Sequence, residues 1–225
     1  MELFEYIDVM NTPYQIYIED VRDPEFRVKG HWHYFVEILY VVKGRIQVDC
    51  GKYRHSLEEG DIIVIPPKML HRICLNHPVP VQYAVVKFDL HGIRIPGVYL
   101  TKIRSALATV QEKKPMIFSA PVQKEYELGA YIENCLTELG QKAFGYEMVV
   151  YSNLSVMLVR MMRLWEESGN FIEKQEEQES AVSFFNNILE YMDVHAFEGI
   201  RVQELADRCG MSYSNFAKVF KQQTS

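Results

Sequence analysis

Between residues 14 and 90 the chain passes through seven short stretches rich in β-branched and aromatic side chains: YQIYIED, HWHYFVEILYVV, RIQVDC, YRHSL, DIIVIP, HRICL and VQYAVVKFDL. Lys43-Gly44, Gly51-Lys52, Glu59-Gly60-Asp61 and Pro66-Pro67 punctuate them, and these residue types favour turns over continued strands. Many short strands at regular spacing point to a sandwich or a small barrel. After about residue 100 the period becomes helical. Apolar residues recur at helical spacing from Val122 to Leu139 and again from Tyr146 to Trp165, where Val150, Leu154, Met157, Leu158, Met161 and Trp165 share one stripe. Two helices with a turn at Gly140 to Gly145 are therefore expected after the β-domain.

At 225 residues the chain is long enough for one large or two modest domains. Cys50, Cys74, Cys135 and Cys209 are far apart and form neither a Cys-x-x-Cys pair nor a disulfide framework, which predicts buried thiols in a reducing cytoplasm. Residues 1–20 carry Glu2, Glu5, Asp8, Glu19 and Asp20 and lack the cationic start and apolar core of a secretion signal. No apolar run approaches membrane-spanning length, so no membrane partner is expected. The net charge of -6 argues against a surface wholly given to nucleic acid but leaves room for a local contact element. EESGNFIEKQEEQES, residues 166–180, reads as a solvated linker.

Beyond it, VSFFNNILEYMDVHAF carries a helical stripe, and VQELADRCGMSYSNFAKVF has the spacing of a helix-turn-helix. Ala206 lets two helices approach, Gly210 suits the turn, and Leu205, Cys209, Met211, Phe216 and Val219 supply a small core. Ser212 is a good N-cap. The second helix would then expose Tyr213, Ser214, Asn215, Lys218 and Lys221, side chains suited to base edges and phosphates of double-stranded DNA. The competing reading is an ordinary helical hairpin, and the acidic residues Glu190, Asp193, Glu198, Glu204 and Asp207 outnumber nearby cations.

ILEYMDVHAF followed by RVQELADRCGMSYSNFAKVFKQQ resembles the start of the DNA-binding domain of AraC/XylS-type transcriptional regulators, and HWHYFVEILYVVKGRIQV through GDIIVIPPKMLH resembles their cupin-like sensor domain. The resemblance implies an α+β chain. A cupin-like effector-binding β-barrel (a double-stranded β-helix) would span residues 1–98, a helical pair that covers it and dimerises 99–167, a linker 168–180, and the first part of the DNA-binding domain 181–225. It further implies a non-enzymatic, cytoplasmic homodimer that binds DNA in response to a small polar molecule such as a carbohydrate. The family carries two helix-turn-helix units, whereas this chain stops at Ser225 after one, so the resemblance implies a piece of a longer protein.

If HWHYFVEILYVV is one extended strand, alternation puts His31, His33, Phe35 and Glu37 on one face. The stretch resembles the cupin metal pattern of two histidines, a glutamate and a later histidine, and His71 of GDIIVIPPKMLH occupies the last position. Lys68 stands where that pattern usually has glycine. Three readings compete: His31, His33, Glu37 and His71 are ligands of an optional Zn, Fe, Mn or Ni ion, or hydrogen-bonding groups of a metal-free effector pocket, or His31 or Glu37 merely satisfies buried backbone groups at the barrel mouth. The metal-free pocket is the preferred expectation, with no cofactor required. The alternative from another class is a metal-dependent cupin enzyme, an oxygenase or isomerase using these four ligands.

Overall fold

In the computed structural model, which describes residues 3–5, 7, 13–75, 80–90, 92, 93, 95, 97–112, 116–169, 188, 191, 192, 199–208 and 211–224, the predicted strands assemble into two antiparallel sheets. One holds, in spatial order, β1 (Tyr14–Val21), β8 (Val81–Phe88), β3 (Val36–Lys43), β6 (Ile62–Ile65) and β9 (Met116–Phe118). The other holds β2 (Arg27–His31), β7 (His71–Cys74), β4 (Arg45–Cys50) and β5 (Tyr53–Glu58). Apart from the β4–β5 hairpin, which stays in the second sheet, successive strands from β1 to β8 pass between the two sheets in the order of a jelly roll, the architecture cupins use.

Alternation decides what each face touches. Leu39, Val41, Ile63, Ile65, Tyr83 and Val85 of the first sheet meet Ile46, Val48, Leu57 and Ile73 of the second, forming the core between the sheets. The intervening residues Val36, Ile38, Ile62, Val64, Val86 and Phe88 form a second core with helices. β3, β6 and β8 are buried on both faces, which is why they read as nearly continuous apolar runs. β4 alternates buried and half-buried because its outer face meets water. On that face Asp49 lies opposite Arg54 and Arg72, with its oxygens 2.8 Å from Arg54 Nε and 2.6 Å from Arg72 Nη2. The Arg54 hydrogen bond, with that from Arg72, holds its carboxyl down to about 2. A carboxylate depressed on folding contributes stability above its unfolded pKa that is lost as pH falls through the folded value. Asp49→Asn should therefore cost on the order of 1 kcal/mol at pH 7, discounted for solvent screening, with the difference vanishing as urea denaturation is repeated toward pH 2.

The turn between β5 and β6 needs Gly60. Its φ of +88° is left-handed, and a Cβ there would stand 2.6 Å from the Cβ of Ala120. Beside it, Asp61 Oδ1 accepts from Ala120 N–H at 2.9 Å.

Two elements precede the expected helical pair and were not among the expected ones: α1 (Gly97–Glu112), whose Leu100, Ile103, Ala106, Leu107 and Val110 do recur at helical spacing, and β9, which extends the first sheet past residue 98. The single helix expected from Val122 to Leu139 is instead two, α2 (Ala120–Glu125) and α3 (Leu128–Gln141), broken where Glu127 takes φ 53°. The break is satisfied by tertiary contact: the Tyr126 carbonyl accepts from Arg160 Nη1 at 3.1 Å. Gly129 sits so close beneath that a Cβ would come within 2.2 Å of Gln123 Nε2. The following turn ends at Gly145, with φ 79°, which opens α4 (Tyr146–Glu167). The predicted stripe of α4, from Val150 to Trp165, is buried in the second core.

The chain divides into two units, Met1–Glu173 and Lys174–Ser225. In the second, α5 (Val202–Arg208) and α6 (Tyr213–Thr224) pack around Leu205, Ala206 and Phe216 together with Ile188. Cys209 and Gly210, and most of the expected linker, lie outside the described residues. Among the described residues no helix is long and apolar enough to cross a membrane.

Candidate functional site

The run HWHYFVEILYVV is not one strand, and this corrects the geometric premise of the sequence reading. His31 ends β2 in the second sheet, residues 32–35 cross over, and Glu37 lies in β3 of the first sheet. The crossing exists because β2 and β3 belong to opposite sheets of the jelly roll. His31, His33, Glu37 and His71 nevertheless come together, with one donor atom from each lying within 4.8 Å of the others. His31 and His71 are register partners of β2 and β7. Glu37 is on the inward face of β3, in line with Leu39 and Val41. Lys68, in place of the usual glycine, adopts the left-handed φ of 65° that the turn before His71 requires. Its N–H donates to the His33 carbonyl at 2.7 Å, tying the turn to the crossover.

Hydrogen-bond accounting fixes the chemistry. Glu37 Oε2 is 2.8 Å from His33 Nε2 and 3.0 Å from His71 Nε2. His71 Nδ1 faces the Met69 carbonyl at 2.8 Å, and His31 Nδ1 faces the Lys29 carbonyl at 2.9 Å. A carbonyl only accepts, so both rings carry a proton on Nδ1 and turn Nε2 inward. His33 Nδ1 is buried, and among the described residues it has no hydrogen-bond partner. His33, Glu37 and His71 are each at most 2 % exposed. Burial alone would raise the Glu37 carboxyl, but hydrogen bonds from His33 and His71 and the charges of His71 and Lys87 hold it well below the ordinary carboxylate range.

Two members of the cluster were missed in the sequence. Lys87, on β8 directly opposite Glu37 in β3, is only 4 % exposed. It was legible in principle: it continues the inward series Val81, Tyr83, Val85. Glu5 comes from outside the strands and had no periodic signal. Its Oε2 lies 2.7 Å from Lys87 Nζ, 3.2 Å from His31 Nε2 and 4.0 Å from His33 Nε2. Burial opposes the ionised form of Glu5, yet His31 and Lys87 bring its carboxyl down to about 2. The His31 ring is disfavoured as a cation by burial, but Glu5, the Lys29 carbonyl and Glu37 together raise its pKa.

Three imidazoles and a carboxylate fit a borderline divalent metal, and the Nδ1 bonds to backbone carbonyls are those that orient histidine ligands. The same frame is complete without an ion when the inward nitrogens carry protons. Outside the cluster, His55 is half-buried with no hydrogen-bond partner for Nε2 among the described residues, and burial lowers its pKa. His77, His91 and His195 lie outside the described residues. A cavity of about 430 Å³ lined by Asp20, Arg22, Lys43, Pro80 and Gln82 is at the other end of β8, away from the cluster. In the second unit, Ser212 Oγ accepts from Asn215 N–H at 3.4 Å as an N-cap would. Ser212, Tyr213, Ser214, Asn215, Lys218 and Lys221 are all exposed.

Fold and cluster define a jelly-roll domain with a buried, charged end suited to binding a polar group. Residues 13–94 match the family model for the AraC-like ligand binding domain, a span holding β1 to β8 and every cluster residue except Glu5. A search of curated proteins found no match. Among solved structures, the chain is similar to a conserved protein of unknown function from Streptococcus pyogenes at 15 % identity and TM-score 0.32, over 35 % of this chain and 66 % of that one. A protein from Photorhabdus luminescens is similar at 24 % identity and TM-score 0.33, over 37 % and 68 % respectively. A cupin-2 domain containing protein from Shewanella frigidimarina is similar at 20 % identity and TM-score 0.30, over 34 % and 72 %. The chain therefore spans just under two thirds of the first of these and somewhat more of the others.

Proposed function

We propose that the chain is a ligand-responsive, DNA-binding transcriptional regulator, in which the jelly roll senses a small polar molecule and the α5–α6 pair contacts DNA. The observation that supports this reading best is the buried cluster of His33, Glu37, His71 and Lys87 inside the span that matches AraC-like ligand binding domains. A buried charged group is costly to keep unless its charge is used or matched. The capped α6, with Tyr213, Ser214, Asn215 and Lys218 exposed, is the element offered to a major groove. Control requires that the effector bind two conformations or dimer arrangements unequally. The dimer is assigned to the outer face of α4 and the turn before it, where Phe144, Met148, Val149 and Val156 remain exposed.

A second reading, a metal-dependent oxygenase or isomerase, draws on the three inward Nε2 atoms gathered around Glu37. His31, His33, Glu37 and His71 would hold the ion, which when bound would supply a Lewis acid for an oxygen-bearing substrate. The two readings separate by titrating the labelled chain with duplex DNA and following amide shifts by NMR. The regulator reading expects changes concentrated on residues 212–221 that fade steeply between low and moderate salt, because phosphate contacts release counterions. Absence of any salt-dependent shift in α6 would remove the DNA-binding half of the proposal.

A further inference from the structure

We propose that Lys87 and His31 form a carboxylate-binding subsite, that the Glu5 side chain is its resident occupant, and that the effector is a small carboxylate which takes Glu5's place. This rests on the sensor reading above and narrows its ligand from any polar molecule to an acid.

The subsite follows from how the charges are partnered. The Lys87 ammonium is nearly inaccessible, and Glu37, its neighbour across the ladder, is 4.0 Å away, too far for a direct hydrogen bond. Glu37 Oε2 already serves His33 and His71. Among the described residues the direct hydrogen bond of Lys87 goes to Glu5, at 2.7 Å. The Glu5 carboxylate also lies 3.2 Å from His31 Nε2, so a single oxygen bridges a buried ammonium and an imidazole. That is how a protein holds a bound anion.

The occupant, however, is weakly tethered. Glu5 belongs to no strand: among the described residues the backbone around it is held by the isolated bridge between Phe4 and Trp32, through Glu5 N–H to the Trp32 carbonyl at 2.9 Å and Trp32 N–H to the Leu3 carbonyl at 2.8 Å, with Ile7 buried two residues on. Phe4 adds ring contacts to Trp32, 4.7 Å between centroids, and to Tyr34, 5.7 Å. The Glu5 side chain is 37 % exposed, against 5 % for Lys87. Releasing Glu5 costs two backbone hydrogen bonds and an edge of aromatic packing, and it takes from the buried Lys87 ammonium the carboxylate it is hydrogen-bonded to, leaving Glu37 at 4.0 Å as its counter-charge. Glu5 leaves most readily when another anion arrives to take over its hydrogen bond from Lys87. A neutral sugar brings no charge to offset that loss; a carboxylate does. The exchange would also move Phe4 off Trp32, converting occupancy into displacement of the N-terminal segment.

The test compares the chain with its Glu5→Gln variant, titrating acetate, pyruvate and succinate, with glycerol and glucose as neutral probes, by calorimetry and Trp32 emission. Gln keeps the shape of a half-exposed side chain, and near-ultraviolet circular dichroism verifies the fold. Removing the internal competitor should tighten binding of at least one carboxylate by about tenfold, and adding Lys87→Met should abolish that gain. If Glu5→Gln leaves carboxylate affinity within about twofold of the wild type, including no binding to either chain, the subsite assignment is wrong. Neutral sugars binding while carboxylates stay inert would overturn the subsite and leave the sensor reading standing. Carboxylate binding that never alters DNA contact would support the subsite and defeat the regulator.

Discussion

Leu158→Glu is expected to leave the first unit unfolded at 25 °C, seen as loss of cooperative urea and thermal transitions by circular dichroism. Leu158 has no exposed surface and sits in α4 among the residues that cover the outer face of the first sheet. Removing a buried leucine costs about 2–5 kcal/mol, and burying a carboxylate without a partner adds several more. Together these reach the whole stability of an ordinary domain, about 5–15 kcal/mol. Because Leu158 is fully buried, the substitution strikes the fold rather than a dimer surface. The contact surface is better probed at Val156, which is 45 % exposed on the same helix. Val156→Asp should change unfolding by no more than about 0.5 kcal/mol while shifting sedimentation toward the monomer. A wild-type chain that sediments as a monomer at roughly tens of micromolar would reject the dimer.

What could be read in the sequence, and what could not, follows from the range of the interactions. Strand alternation and turn residues are local, and β1 and β4 to β8 lie where their runs stood. HWHYFVEILYVV misled because nothing local marks residues 32–35 as a crossover, and the gathering of His31 with Glu37 comes from two sheets facing each other. The α2–α3 break was hidden for the same reason: Arg160, 34 positions later, supplies the partner that makes it tolerable. Lys87 could have been found, as the one charge on the inward series of β8, whereas Glu5 could not, since its place depends on how the N-terminal segment crosses Trp32. The exposed face of α6 was legible because a short amphipathic helix with an N-cap needs only its own residues to declare which side is apolar.

Glu37→Gln should be the most damaging conservative change in the jelly roll, lowering its unfolding free energy by about 3 kcal/mol, since breaking a buried charge network by removing one partner costs about 3–5 kcal/mol. The side chain is 2 % exposed and its Oε2 accepts from His33 and His71 while Lys87 stands 4.0 Å away. Glutamine keeps the volume, so a packing role alone predicts almost no loss. It replaces a charged acceptor with a neutral amide, one end of which donates, and leaves the Lys87 charge balanced by Glu5 alone. Urea denaturation within about 0.5 kcal/mol of the wild type would show that Glu37 is not the electrostatic centre of the cluster. The same variant separates the two chemical readings of the site once metal is controlled. If His31, His33, Glu37 and His71 work through hydrogen bonds, exhaustive chelation leaves the wild-type melting temperature and ligand affinity unchanged, and Glu37→Gln weakens both. If they hold a divalent ion, chelation lowers both in the wild type, one equivalent of metal restores them, and Glu37→Gln loses the response to metal along with the stability.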